Sequence, residues 1–212
     1  KDHSKQYWQA ESQHLLKGFQ RKILSIIEDD ACKHFSLFAL TPQPLLIQLG
    51  TLFTDKIDID TYQLHREPKG WLWQDCKDDF NYIINKPNQT DGKPALIVSL
   101  SDHVSHERIT RIIGTDTSIW EITIPNPHND FMQAKQQLSL FRKCLRNLIV
   151  EIKHVHGEKT PLHIFPVMPV SCAVELGRVR MPKADMPWLI YDHNIKTQEF
   201  VVTIELRGDL HD

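Results

Sequence analysis

The chain has 212 residues, 41% of them hydrophobic, and 25 Lys+Arg against 27 Asp+Glu give a formal charge of −2. No apolar run approaches the ~20 residues that span a bilayer, and no secretory n-region or h-region opens the sequence, so a cytoplasmic, membrane-free protein is expected. Duplex nucleic acid demands a broad basic face, which this balance does not supply, although a local basic pocket for one small anion remains open.

Residues 5–28 are predicted to form one long helix. Leu15, Phe19, Ile23 and Ile27 recur at four-residue spacing, and Leu16 and Leu24 widen the stripe. Asp29-Asp30 breaks that pattern before a strand at 35–40. Residues 57–64 alternate, Ile57 and Ile59 being followed by Tyr62 and Leu64, and read as a second strand. The polar stretch 66–93, punctuated by Pro68, Gly70, Pro87 and Gly92, reads as an insertion or mobile loop. Residues 95–100 are a continuous apolar run, as a central parallel strand would be. A short helix at 106–113 and a strand at 119–124 follow. Pro125-Asn126-Pro127 is a turn, and Asp130 is expected to N-cap the next helix, whose apolar stripe is Leu138, Phe141, Leu145, Leu148 and Ile152. Residues 188–191 and 200–206 read as closing strands. Cys32, Cys76, Cys144 and Cys172 form no C-x-x-C pair and are expected to be free buried thiols in a reducing compartment.

One stretch is used twice. L-F-A-L-T-P-Q-P-L-L-I-Q-L-G at 37–50 has a partner, I-F-P-V-M-P-V-S-C-A-V-E-L-G, at 164–177. Pro42 matches Pro169 and Gly50 matches Gly177, a constant offset (177 − 50 = 127). Both copies read as buried strand, proline turn and apolar helix, and a long helix precedes each. Such a duplication predicts two related α/β halves, 1–128 and 129–212, with mainly parallel sheets and a cleft where the strands end.

A helix N-terminus reached from a strand is an anion site. Here the prolines remove donors from both turns, which leaves the amides of Gln43, Leu45, Ser171 and Cys172 and the side chains of Gln43 and Ser171. No G-x-G-x-x-G or Walker sequence occurs, which disfavours a dinucleotide fold. Trp71, Trp73, Trp188 and Tyr191 are candidates for stacking bases, set against ordinary core packing. Arg178, Arg180 and Lys183 after the second turn, with His65, Arg66 and Lys69 after the second strand, are candidates for phosphate contacts, set against a solvated basic surface. Ser99, Ser101, Asp102 and His103 form a polar patch after the central strand; neighbours in sequence seldom have triad geometry, so ligand contact is the better reading. His103/His106 and His154/His156 have metal-like spacing without a supporting Asp, Glu or Cys set, and no metal or cofactor is expected.

P-Q-P-L-L-I-Q-L-G, Y-Q-L-H-R-E-P and W-L-W in the first half, with H-I-F-P-V-M-P-V-S-C-A-V-E-L-G-R and W-L-I-Y-D in the second, resemble the SAVED domain from about residue 5 to residue 206. The resemblance implies a single domain made of two fused CARF-like Rossmann-type units. It implies a receptor for a cyclic oligonucleotide second messenger in bacterial CBASS anti-phage defence. A nucleotidyltransferase makes that messenger, and binding, accompanied by self-association, switches on an attached effector. The Y-Q-L-H-R-E-P and W-L-W stretch looks most like receptors fused to a DNA endonuclease. On that reading the chain is the sensor part of a longer polypeptide, Lys1 lying in a helix continued from upstream, with no direct nucleic-acid binding and no catalysis of its own. The ligand is expected between the two turns, on Pro42, Gln43, Pro44, Leu45 and Leu46 and on Pro169, Val170, Ser171 and Cys172. His65, Arg66, Trp73, Ser101, Asp102, His103, Arg178, Lys183 and Tyr191 are expected to complete the pocket. Cyclic dinucleotides and trinucleotides are both possible ligands. The inequality of the turns favours a ring that is not perfectly symmetric, and an adenine-containing cyclic trinucleotide is expected. Two other readings remain: a ring nuclease using Ser101, His103 or Ser171, and a scaffold used only for assembly.

Overall fold

A computed structural model describes residues 4–29, 32–53, 57–75 and 80–208; Cys76 lies outside them. The predicted N-terminal helix forms as α1 (Lys5–Phe19), one π-turn (Gln20–Leu24) and α2 (Ser25–Glu28). Strand β1 (His34–Leu37) is shorter than predicted, because the chain leaves the ladder at Phe38 to reach the Pro42 turn. Helix α3 (Gln43–Phe53) follows, then β2 (Asp58–Thr61), which pairs parallel with β1. The polar stretch contributes a short strand, β3 (Ile83–Asn85). Next come β4 (Lys93–Ser99), α4 (His106–Ile113), β5 (Thr117–Thr123) and α5 (Lys135–His156). The second copy of the repeat supplies β6 (Leu162–Val167) and α6 (Val170–Arg178), and β7 (Trp188–Asn194) and β8 (Glu199–Leu206) close the chain.

Among the described residues, six strands form one sheet in the order β3-β5-β4-β6-β7-β8. β4 pairs parallel with both β5 and β6, and β6 with β7; the antiparallel pairs are β3 with β5 and β7 with β8. The fold is thus mixed α/β with mainly parallel sheets, and one sheet takes strands from both sides of residue 128.

Alternation along β4 explains how both faces are buried. Leu96 and Val98 enter the main core with α1, α3, α5 and α6, whereas Ala95 and Ile97 face Ile109 and Ile113 of α4 on the other side. Phe165, Tyr191 and Phe200 pack into that second layer, Phe165 stacking on Tyr191 at 4.3 Å. Helix α5 starts later than predicted. Its N-terminus is held by Gln137, whose Oε1 accepts from the amides of Gln133 (2.8 Å) and Ala134 (2.9 Å), so Asp130 is not the cap.

The repeated glycines bring α3 and α6 into backbone contact. A Cβ on Gly50 would run into the carbonyl of Val174, and a Cβ on Gly177 into that of Ile47. These contacts are reciprocal at the same 127-residue offset as the sequence repeat (174 − 47 = 127), as local two-fold symmetry requires. Around this junction sits a buried charge cluster. Glu175 is fully buried and accepts from Arg142 Nε (2.6 Å), Arg178 Nη1 (3.2 Å) and Thr61 Oγ1 (2.9 Å).

Candidate functional site

Parallel strands leave the sheets in one direction, so the segments after their C-terminal ends gather on one side. Leu40 follows β1, Gln63 to Arg66 follow β2, Ser101 follows β4, Asn129 and Asp130 follow β5, and Pro169 and Val170 follow β6. Together with Lys69 they line a cleft of about 470 Å³, fed by both copies of the repeat. A recess of about 150 Å³ adjoins it, sharing Gln63, His65, Arg66, Asn129 and Asp130 and reaching Glu67, Met132 and Gln133.

The basic rim is a tight loop. The His65 amide donates to the Gly70 carbonyl at 2.8 Å, and the residues between present Arg66 and Lys69 to solvent. Arg66 Nε lies 3.7 Å from Asp130 Oδ1, an exposed pair that joins this loop to the β5–α5 connection. His65 itself is 6% exposed and meets Trp73 edge-on at 5.8 Å. Burial pushes its pKa below the ordinary 6.5, against an opposite pull from Asp130. Its Nε2 is buried without a hydrogen-bond partner among the described residues. Just before Leu40, Phe38 stacks on Tyr62 at 4.4 Å and takes the edge of Trp71 at 5.3 Å; Phe38 is 52% and Leu40 62% exposed.

The turns themselves are largely self-satisfied. The Pro42 carbonyl accepts from Leu45 (3.0 Å) and Leu46 (3.2 Å) amides, while Pro44, Leu45 and Leu46 are buried. Gln43 is an inter-turn tie: its Nε2 donates to the Met168 carbonyl at 2.9 Å. Pro169 has no side-chain acceptor to cap α6, and Gln63 does so from across the cleft. Its Oε1 accepts from the Ser171 amide (3.3 Å) and hydroxyl (2.9 Å). The Leu45 and Ser171 amides expected to face a ligand are therefore already engaged.

Of the residues singled out from sequence, the cleft gathers His65, Arg66, Lys69, Ser101, Pro169 and Val170. Leu46 and Cys172 are core residues, and burial pushes the Cys172 thiol up, with Glu175 adding to the shift. Arg178 is spent on Glu175 and on the Ile57 carbonyl (2.9 Å), Arg180 on the carbonyls of Gly208 (3.1 Å) and Leu206 (3.3 Å). Trp188 is fully buried, and Tyr191 lies in the opposite layer, 2.8 Å from His163 Nδ1. Trp73 packs behind His65; Asp102, His103 and Lys183 lie outside the cleft lining. Cys32 and Cys144 are free and half-buried, and Cys172 is free and buried. Among the described residues no group of three or more His, Cys, Asp or Glu is placed to hold a metal; His156 instead accepts from Trp120 Nε1 at 3.1 Å. No described helix is long and apolar enough to cross a membrane.

Sequence reasoning missed Gln63, Asn129 and Asp130. Gln63 lies just beyond the end of β2, inside the Y-Q-L-H-R-E-P stretch, and Asn129 and Asp130 lie in the connection that follows β5, so polar side chains in the segments after strand ends are the available signal.

Comparison with curated proteins gives no match. Among solved structures, the chain is similar to the Acinetobacter baumannii Cap4 SAVED/CARF-domain containing receptor with the cyclic trinucleotide 2′3′3′-cAAA. Identity is 14% and the TM-score 0.66, over 96% of this chain and 44% of that one. The same receptor with 3′3′3′-cAAA matches at 15% identity and 0.66, again over 96% and 44%. The Moraxella osloensis Cap4 SAVED/CARF-domain containing receptor matches at 18% and 0.61, over 97% and 43%. The chain thus spans less than half the length of these receptors, and at these identities the likeness is one of fold. The SAVED model, the SMODS-associated and fused to various effectors sensor domain, matches residues 15–206. With that match over most of its length, the chain belongs to the SAVED family of sensor domains.

Proposed function

We propose that this domain binds a cyclic oligonucleotide second messenger in the cleft between Leu40 and Pro169, an adenine-containing cyclic trinucleotide being the expected ligand. The observation that carries this reading is the cleft itself: both copies of the repeat line it, and Arg66 and Lys69 stand on its rim. Phosphates of the ring would meet those two cations, with Gln63, Asn129 and Ser101 offering hydrogen bonds and Phe38, Tyr62 and Trp71 an aromatic surface nearby. Family membership and the fold shared with receptors carrying cAAA support the ligand class. Occupancy would favour self-association and so activate an effector on the same polypeptide, expected to be a DNA endonuclease, in CBASS defence. Melting the domain with a panel of cyclic di- and trinucleotides tests the binding step. At ~100 times its dissociation constant a ligand adds ~2.7 kcal/mol, which for a domain of this size raises Tm by about 5–10 °C. No shift with any ring would refute it. The ring-nuclease alternative rests on Ser101, since the Ser171 hydroxyl is buried against Gln63 and His103 lies outside the cleft lining. Release of linear product from a bound ring over hours would establish it, and intact ring would dismiss it.

A further inference from the structure

We propose that Asp130 biases this cleft against nucleotides that end in a phosphomonoester, relative to those whose phosphates are all diesters. The inference rests on the receptor reading above and concerns the charge that the same cleft tolerates. Among the described residues, Asp130 is the one carboxylate lining the larger cleft, where it faces two cations, Arg66 and Lys69. Its Oδ1 lies 3.7 Å from Arg66 Nε, so an anion reaching Arg66 also meets Asp130. The smaller recess is less hospitable to anions still, because Glu67 joins Asp130 there against Arg66. His65, at the junction of the two spaces, is buried and adds little charge at neutral pH.

The cleft therefore carries a small positive excess next to a fixed negative charge. A phosphodiester brings one negative charge, and three spread around a ring can be shared between Arg66, Lys69 and solvent. A phosphomonoester brings about −1.5 to −2 at neutral pH, concentrated on one group. Placed at Arg66, it gains from the guanidinium and loses against Asp130, both in proportion to its larger charge, so Asp130 cancels part of the advantage that the extra charge would otherwise have there. Opening a ring by hydrolysis creates such an end, so the same carboxylate would favour the intact messenger over its breakdown product. Specificity then comes from a repulsion as well as an attraction.

The test compares two linear probes, which removes the advantage a ring has from being pre-formed. Binding of ApApA and of 5′-phosphorylated pApApA is measured at low ionic strength, where exposed charges are least screened, with 3′3′3′-cAAA as the positive control. Asp130→Asn should raise the affinity for pApApA relative to ApApA by about threefold over the wild-type ratio, the scale of an exposed charge contact. Asp130→Glu should keep the wild-type ratio. An Asp130→Asn protein that leaves the ratio unchanged or leaves both linear probes unbound overturns the proposal. Weaker binding of 3′3′3′-cAAA by Asp130→Asn also overturns it, because Asp130 would then be reading a base amino group. If wild type binds no cyclic di- or trinucleotide, the receptor reading itself falls; if it binds rings and only the linear comparison fails, Asp130 alone loses its role.

Discussion

Arg66 and Arg178 carry the same guanidinium and are held quite differently. Arg66 is exposed on the cleft rim with one loose carboxylate contact, whereas Arg178 is buried against Glu175 and the Ile57 carbonyl. Glu175 is the centre of the buried cluster, so Glu175→Ala should remove a buried carboxylate from beside Arg142 and Arg178. Losing one partner of a buried pair costs about 3–5 kcal/mol. Urea unfolding should show a loss on that scale, and a change within about 0.5 kcal/mol would show the cluster to be dispensable. Three imidazoles give the molecule a pH dependence. Burial lowers the pKa of His65, His156 and His163 below 6.5, and Lys93 lowers His163 further. The unfolded chain takes up these protons near pH 6.5, while the folded chain resists them to lower pH. Stability present above pH 6.5 is therefore lost as pH falls through that value toward the folded pKa values. The urea midpoint should drop between about pH 7.5 and about pH 5.5, and His163→Asn should reduce the drop; a flat profile contradicts this.

At the scale of elements, the contact that organises the site is α3 against α6. Gly50 and Gly177 let the two backbones touch, and Gln43 and Gln63 then pin the second turn from the first half. Gly50→Ala should force the helices apart, costing about 1–3 kcal/mol or more as overpacking does. Gly18→Ala, with nothing within 4 Å of its added methyl, is the matched control. Equal melting temperatures for the two would refute the close approach. This junction was legible in the sequence as the paired L-G of the repeat, and so were the long helices and the central strand. Which turn residues would face the ligand was not, since it depends on tertiary contacts. Sequence alone shows donors at Leu45 and Ser171 but not that the Pro42 carbonyl and Gln63 claim them. Arg178 read as a phosphate ligand because a buried Glu175 cannot be told from an exposed one by sequence alone. Asp130 fits both a helix cap and a cleft wall, and Gln137, three residues into α5's start, decided between them.

For the whole molecule, the strand ends of both sheets converge on a cleft that both copies of the repeat line, and its cations come from the loop after β2 rather than from the helix N-termini. The most direct test is calorimetric titration of the wild-type domain and the Arg66→Gln/Lys69→Gln double variant with cyclic di- and trinucleotides. Hydrogen bonds to charged groups are worth about 1.5–3 kcal/mol, so the double variant should bind at least roughly tenfold more weakly. Saturable binding of at least one ring by wild type, weakened to that degree in a variant that melts normally, is the expected result. No binding by wild type, or equal binding by the double variant, would contradict it.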